Sequence, residues 1–219
     1  MPTDHPARAG TAVREQNERA GTAVREQSEP ARTAVHEQRV DGFGAVRIVP
    51  LDPAADADLV FGWVTGERAR YWGMADHTRE QVREVYEYVD SLTTHHAFLA
   101  YRDGAPVALF QTYDPAADPV GECYEVLPGD FGVHLLIAPA PDGSGEQQGF
   151  TGALLIALIG YAFADPEVRR IVVEPDARNE KAIARLLRAG FVPGPEIDKP
   201  EKRALLAFLS RDAVTGLLG

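Results

Sequence analysis

The sequence predicts one mixed α/β domain: a mostly antiparallel sheet of about seven strands flanked by helices, behind a polar N-terminal segment. Two observations carry this: stretches of strand-like and helix-like apolar periodicity alternate from about Phe43 onward, and a hairpin signal at Asp103-Gly104 joins two of the strands. With 219 residues, 45% of them hydrophobic and 25% charged, the chain is long enough for one sizeable core.

Residues 8–38 repeat an eleven-residue unit, RAGTAVREQNE, RAGTAVREQSE and PARTAVHEQ. Each copy offers only alanines and one valine as apolar groups, and Gly10, Gly21 and Pro30 interrupt it. Such a unit buries too little surface to offset the entropy of ordering. The expected division is therefore a disordered tail over residues 1–41 and a folded domain over residues 42–219.

Residues 43–51 alternate as a strand, and Asp52 is a candidate cap for a helix running to Val64. Thr78 and Gln81 have capping-box spacing, predicting a second helix from Thr78 to about Leu92. Strands are expected at 95–103 and 105–114, then at 129–139. The stretch 139–149, rich in Gly, Pro, Asp and Ser, reads as a loop before an apolar helix over 150–164. A strand over 168–175 follows, then a helix over 179–189 closed by Gly190, and two last strands at 191–197 and 203–210.

The net charge is −11, and residues 1–40 carry six Arg against six Asp plus Glu, so the acidic excess belongs to the domain. Such a surface argues against nucleic acid as a partner. No apolar run approaches the roughly 20 residues of a membrane span, nor is there a signal-peptide apolar core, so the expected location is cytoplasmic without a membrane partner. Cys123 is the single cysteine. Neither it nor His77, His95 and His96 has a ligand spacing, so no metal is expected. The sequence is consistent with either a monomer or a homodimer.

Five separated segments carry a resemblance: WVTGERARYWGM (63–74), GDFGVHLLIAP (129–139), QGFTGALL (148–155), EPDARNEKAI (174–183) and KPEKRALLAFL (199–209). Together with the order of elements they make the chain similar to the GNAT superfamily of acyl-CoA N-acyltransferases, and within it to the hydroxamate-siderophore branch. The likeness spans roughly residues 43–212. It implies the GNAT fold, an acetyl- or succinyl-CoA cosubstrate, and a small amine or hydroxylamine acceptor, of which an N-hydroxycadaverine type is the nearest. N6-hydroxylysine or lysine is the alternative acceptor, and a CoA-binding module without turnover is the non-enzymatic one.

The same resemblance implies site residues. His134 and Asp176 fall at the positions of the branch's catalytic pair. Where other members of the superfamily have a proton-donating Tyr, this chain has Leu186. EQQGFT (146–151) matches the pyrophosphate loop, with Glu146 and Thr151 departing from its pattern. Gln148, Gly149, Phe150, Thr151 and Gly152 are thus the expected CoA cradle, where unpaired amides and a helix dipole meet an anion. Backbone amides near Leu136 and Ile137 are expected to face the acyl oxygen, and Asn179 to lie near the pantetheine arm. Tyr71 and Trp72 are the expected walls of the acceptor pocket. Read alone, His134 is first a core histidine, Asn179 a helix cap, and the aromatic group with Trp63 core packing.

Overall fold

A computed structural model describes residues 32–140 and 147–218. The first two copies of the repeat and Glu146 lie outside the described residues. Eight strands form one sheet among them, in the order β1-β2-β3-β4-β5-β6-β8-β7. The strands are β1 His36–Val40, β2 Gly44–Pro50, β3 His95–Arg102, β4 Ala105–Tyr113, β5 Asp130–Ile137, β6 Arg170–Val173, β7 Val192–Asp198 and β8 Arg203–Ser210. The helices are α1 Ala57–Val64, α2 Arg79–Ser91, α3 Phe150–Ala162, α4 Glu180–Arg188 and α5 Arg211–Leu218. Every neighbouring pair of strands is antiparallel except β5 and β6, which run parallel.

Strand alternation sorts side chains onto two faces. Val49, Leu99, Tyr101, Leu109 and Leu136 pack under α1 and α2 with Val60, Val64, Val82 and Tyr86. Val46, Ile48, Phe98, Ala100, Ala108 and Phe110 face Leu154, Ala157 and Leu158 of α3. Each such Leu or Phe contributes about 1.5–3 kcal/mol by leaving water. α3 is apolar nearly all round because α4 packs beside it, through Leu186 and Ala189 near Ile159 and Phe163.

Thr78 caps α2 through the expected capping box. Asp103 and Gly104 turn the β3–β4 hairpin with φ of 48° and 85°. Gly190 has a φ of 93° just beyond α4.

The structure corrects two boundaries. α1 begins at Ala57, not after Asp52, whose carboxylate instead accepts the amides of Ala54 and Ala55. Asp56 precedes the helix without capping it, because its oxygens are held by the Arg32 guanidinium at 2.7 and 2.8 Å. The ordered domain also begins earlier than residue 42: the end of the third repeat copy is β1, which is the edge strand. β1 is polar in sequence because what holds it is backbone pairing to β2, the Arg32–Asp56 pair and an edge contact between His36 and Tyr161.

Candidate active site

The feature that positions the site is a gap in the sheet. β4 pairs with β5 as far as Ala108↔Ile137, whereas β5 and β6 pair only from Asp130↔Arg170 to Gly132↔Val172. Beyond Gly132 the two parallel strands separate. The amide of Ala138 donates to Val107 at 2.9 Å. Alternation along β5 then points the N–H of Leu136 toward β4 and that of Ile137 into the gap. Of the two expected oxyanion donors, Ile137 is therefore available and Leu136 is not; the Leu136 side chain lies in the core under α1 and α2.

At one end of the gap is a cleft of about 1150 Å³ lined by Val107, Ile137, Ala138, the Gln148-Gly149 approach to α3 and the first residues of that helix to Gly152. Gly149 precedes α3 in the left-handed conformation, φ 80°, with no side chain capping the helix. The Phe150 amide bonds to Gln147 and the first intrahelical bond is that of Ala153 to Gly149, so Thr151 and Gly152 have amides without intrahelical acceptors. Arg68, Arg102, Arg185 and Arg188 also line the cleft, against Asp103 as its one acidic group among the described residues. That is a concentration of positive charge in a chain of net charge −11. A cradle of this kind fits a polyphosphate with an adjoining flexible arm.

At the other end is His134, three residues before Ile137 and roughly 10 Å along the strand at about 3.3 Å per residue. Its Nε2 is 2.7 Å from Oε1 of Glu174, which lies just past β6. Glu174 is buried and also accepts from Lys199 Nζ at 3.1 Å and from Lys202 Nζ. Burial works to raise its carboxyl, but the hydrogen bond from His134 and the charges of Lys202 and Lys199 outweigh it and hold it well below the usual carboxylate range. Burial likewise works to lower the Lys199 ammonium, and Glu174 outweighs it, leaving it raised. The Tyr113 ring lies 4.8 Å from the imidazole and the Trp72 ring meets it edge-on at 6.2 Å.

Residues 52–199 match the family described as the acetyltransferase (GNAT) domain. The chain belongs to the GNAT acetyltransferase family. It is 29% identical over 168 residues to an N(6)-hydroxylysine O-acetyltransferase from Escherichia coli, covering 73% of this chain and 50% of that protein. It is 29% identical over 164 residues to the lysine N-acyltransferase MbtK of Mycobacterium sp. (strain MCS), covering 74% and 66%. The chain thus spans half the length of the first relative and about two thirds of the second. Among solved structures, AAC(6')-Ib in complex with ribostamycin and coenzyme A matches with a TM-score of 0.68 and 25% identity, over 78% of this chain and 96% of that one. An uncharacterized protein from Bacillus halodurans has the same fold, with a TM-score of 0.75 at 24% identity over 84% and 94%.

Against the GNAT expectation, the partner of His134 is Glu174 and not Asp176. Asp176 is also buried, but its Oδ1 accepts the amide and Nε of Arg178 at 2.9 Å, and its Oδ2 accepts the other guanidinium nitrogen at 2.7 Å. Asn179 caps α4 through the amide of Ala182 and is not part of the cleft lining. Leu186 packs into the core beside α3 and offers no proton. Tyr71 donates to the carbonyl of Arg178 at 3.2 Å and Trp72 to the Tyr86 hydroxyl at 3.4 Å, which sets both on the His134 side of the gap. Trp63 is core.

Glu174, Lys199, Lys202 and Tyr113 were not legible as site residues by position alone. The available signal was a carboxylate closing the apolar run VRRIVVE (168–174), which has to be buried with partners once the strand is central.

Proposed function

We propose that the protein transfers an acetyl or succinyl group from its CoA thioester to the hydroxylamine nitrogen of an N-hydroxylated diamine of the N-hydroxycadaverine type, making a hydroxamate for ferric-iron chelation. The observation that carries this is the gap beside β5, with the anion cradle at Gly149 at one end and the His134–Glu174 pair at the other. A CoA thioester supplies an activated acyl group and brings it along the gap from the cradle.

In this reading the amides of Thr151 and Gly152, with the cleft arginines, hold the pyrophosphate. The Ile137 amide donates to the acyl oxygen as charge develops there. His134 takes the proton released by the acceptor nitrogen. A hydroxylamine is mostly uncharged near neutral pH, so the base acts as the bond forms. Trp72 and Tyr71 wall the acceptor's alkyl chain.

A second acceptor is favoured by a specific observation. Arg178, paired with Asp176 but with its side chain 75% exposed, lies beside Tyr71 on the acceptor side, where its guanidinium suits an acceptor bearing a carboxylate, and two relatives are named for hydroxylysine and lysine.

Thiol release is the test, using acetyl-CoA and succinyl-CoA with N-hydroxycadaverine, cadaverine, N6-hydroxylysine and lysine. The highest kcat/KM is expected with N-hydroxycadaverine. A preference for the carboxylated acceptors replaces the diamine by the lysine-type reading, and acceptor-independent silence across the panel leaves a CoA-binding module.

A further inference from the structure

We infer that Glu174, clamped between Lys199 and Lys202, is a positioning residue that holds His134 as its Nε2–H tautomer and thereby leaves Nδ1 as the nitrogen that receives the proton. This rests on the reading of His134 as the base. An ionised carboxylate can only accept hydrogen bonds, so the 2.7 Å contact requires the proton to be on Nε2. The remaining lone pair is then at Nδ1.

The two lysines give the arrangement its sense. Here Oε1 also receives Lys199 and Oε2 receives Lys202, whose ammonium reaches the Glu174 carbonyl as well at 2.8 Å. Both oxygens of Glu174 are thus held by fixed ammonium groups, and the imidazole orients on an acceptor that cannot turn away. The lysines are fixed in turn: the amide of each bonds the carbonyl of the other, at 2.9 and 3.3 Å, closing the turn between β7 and β8. Lys199 has Glu201 as a second partner at 3.2 Å.

Among the described residues, aromatic groups take two other faces of the ring. Tyr113 covers one, with a buried hydroxyl that has no hydrogen-bond partner, and Trp72 meets another edge-on. Behind Tyr113 stand His95 and Asp118, paired with each other at 3.4 Å. Asp176 is committed to Arg178.

During transfer the acceptor nitrogen forms its bond to the acyl carbon and its N–H bond breaks, the proton going to Nδ1. The C–S bond breaks with its electron pair going to sulfur, and the proton at Nδ1 is the one available to that sulfur. The imidazolium that exists in between is stabilised by Glu174 without the carboxylate itself taking the proton.

Nitrogen-15 NMR of the imidazole in the intact protein reads the tautomer directly. The unsubstituted protein at neutral pH is expected to show Nε2 protonated and Nδ1 not. In Glu174→Gln the amide oxygen is drawn to the lysines and its NH2 faces the ring, so the signal is expected to switch to the Nδ1–H tautomer. kcat/KM should fall by on the order of 100-fold, with CoA affinity unchanged. In Lys199→Met combined with Lys202→Met, the Glu174 carboxylate is no longer held and the single Nε2–H tautomer is expected to give way to a mixture of tautomers; this variant carries the test if Glu174→Gln does not fold. An Nδ1–H tautomer in the unsubstituted protein, or spectra that neither substitution alters, overturns the inference. Should His134→Ala keep full turnover, the reading of His134 as base fails instead, whatever the spectra show.

Discussion

Gly132 lies directly beneath the ring of Tyr113, so close that a Cβ on residue 132 would penetrate the ring carbons. Gly132 is the last residue of β5 paired to β6, and the same Tyr113 ring lies tilted against His134 two residues further on, with the ring centroids 4.8 Å apart. The absence of a side chain at 132 is therefore what lets Tyr113 cross the sheet at the point where the strands part.

Gly132→Ala is accordingly expected to push the ring outward and loosen the imidazole. The overpacking should cost about 1–3 kcal/mol and lower kcat more than it raises KM for acyl-CoA. Thermal unfolding and steady-state kinetics on the same preparation check both parts.

At Gly149 the cost has a different origin. A Cβ there meets nothing within 4 Å, but φ is 80°, and a left-handed backbone costs a non-glycine residue about 1–2 kcal/mol. Gly149→Ala should therefore disturb the loop conformation and weaken CoA binding several-fold, measured by calorimetric titration, with turnover at saturating thioester largely kept.

Arg188 lines the cleft at its exposed rim. Arg188→Glu replaces an attraction for the anionic ligand by a repulsion, and CoA affinity should drop about tenfold at low ionic strength. Added salt should shrink the difference, because the pair is screened over roughly 10 Å at 0.1 M.

The carboxyl groups of Glu174 and Asp130 are both held below their ordinary range. For Asp130, burial works to raise it and is outweighed by the paired hydrogen bonds from Arg170 at 2.6 and 2.7 Å, with Leu127 and Tyr124 assisting. Between the folded and unfolded values the unfolded chain binds more protons, so stability rises with pH there. The contribution is complete above about pH 5 and is lost as pH falls through the lower, folded values. Thermal unfolding followed downward from pH 7 should show a steep acid limb, and Glu174→Gln should make that limb shallower.

Much of the fold was legible because its cues are local. The capping box at Thr78, the turn at Asp103-Gly104 and the alternation of FGAVRIVPL each depend on a few adjacent residues. β1 was not legible, since HEQRV has no apolar alternation and its order comes from pairing with β2 and from Arg32 reaching Asp56 across 24 residues of chain. The site divides in the same way. Gly149 and His134 stand in recognisable segments, whereas the pairing of His134 with Glu174 depends on how β5 and β6 are registered. Strand parity puts His134 with Gly132, and Glu174 with Val172; the Gly132↔Val172 pairing then places both on one face. Asp176, two residues further and past the strand end, belongs to the turn that holds Arg178.

If His134 does the chemistry at the far end of a gap whose other end binds CoA, His134→Ala separates the two ends. With CoA affinity and single-turnover thiol release measured together in that variant, the dissociation constant for CoA should be unchanged and the transfer rate lower by on the order of 100-fold to 10,000-fold. An unchanged transfer rate would remove His134 from the chemistry.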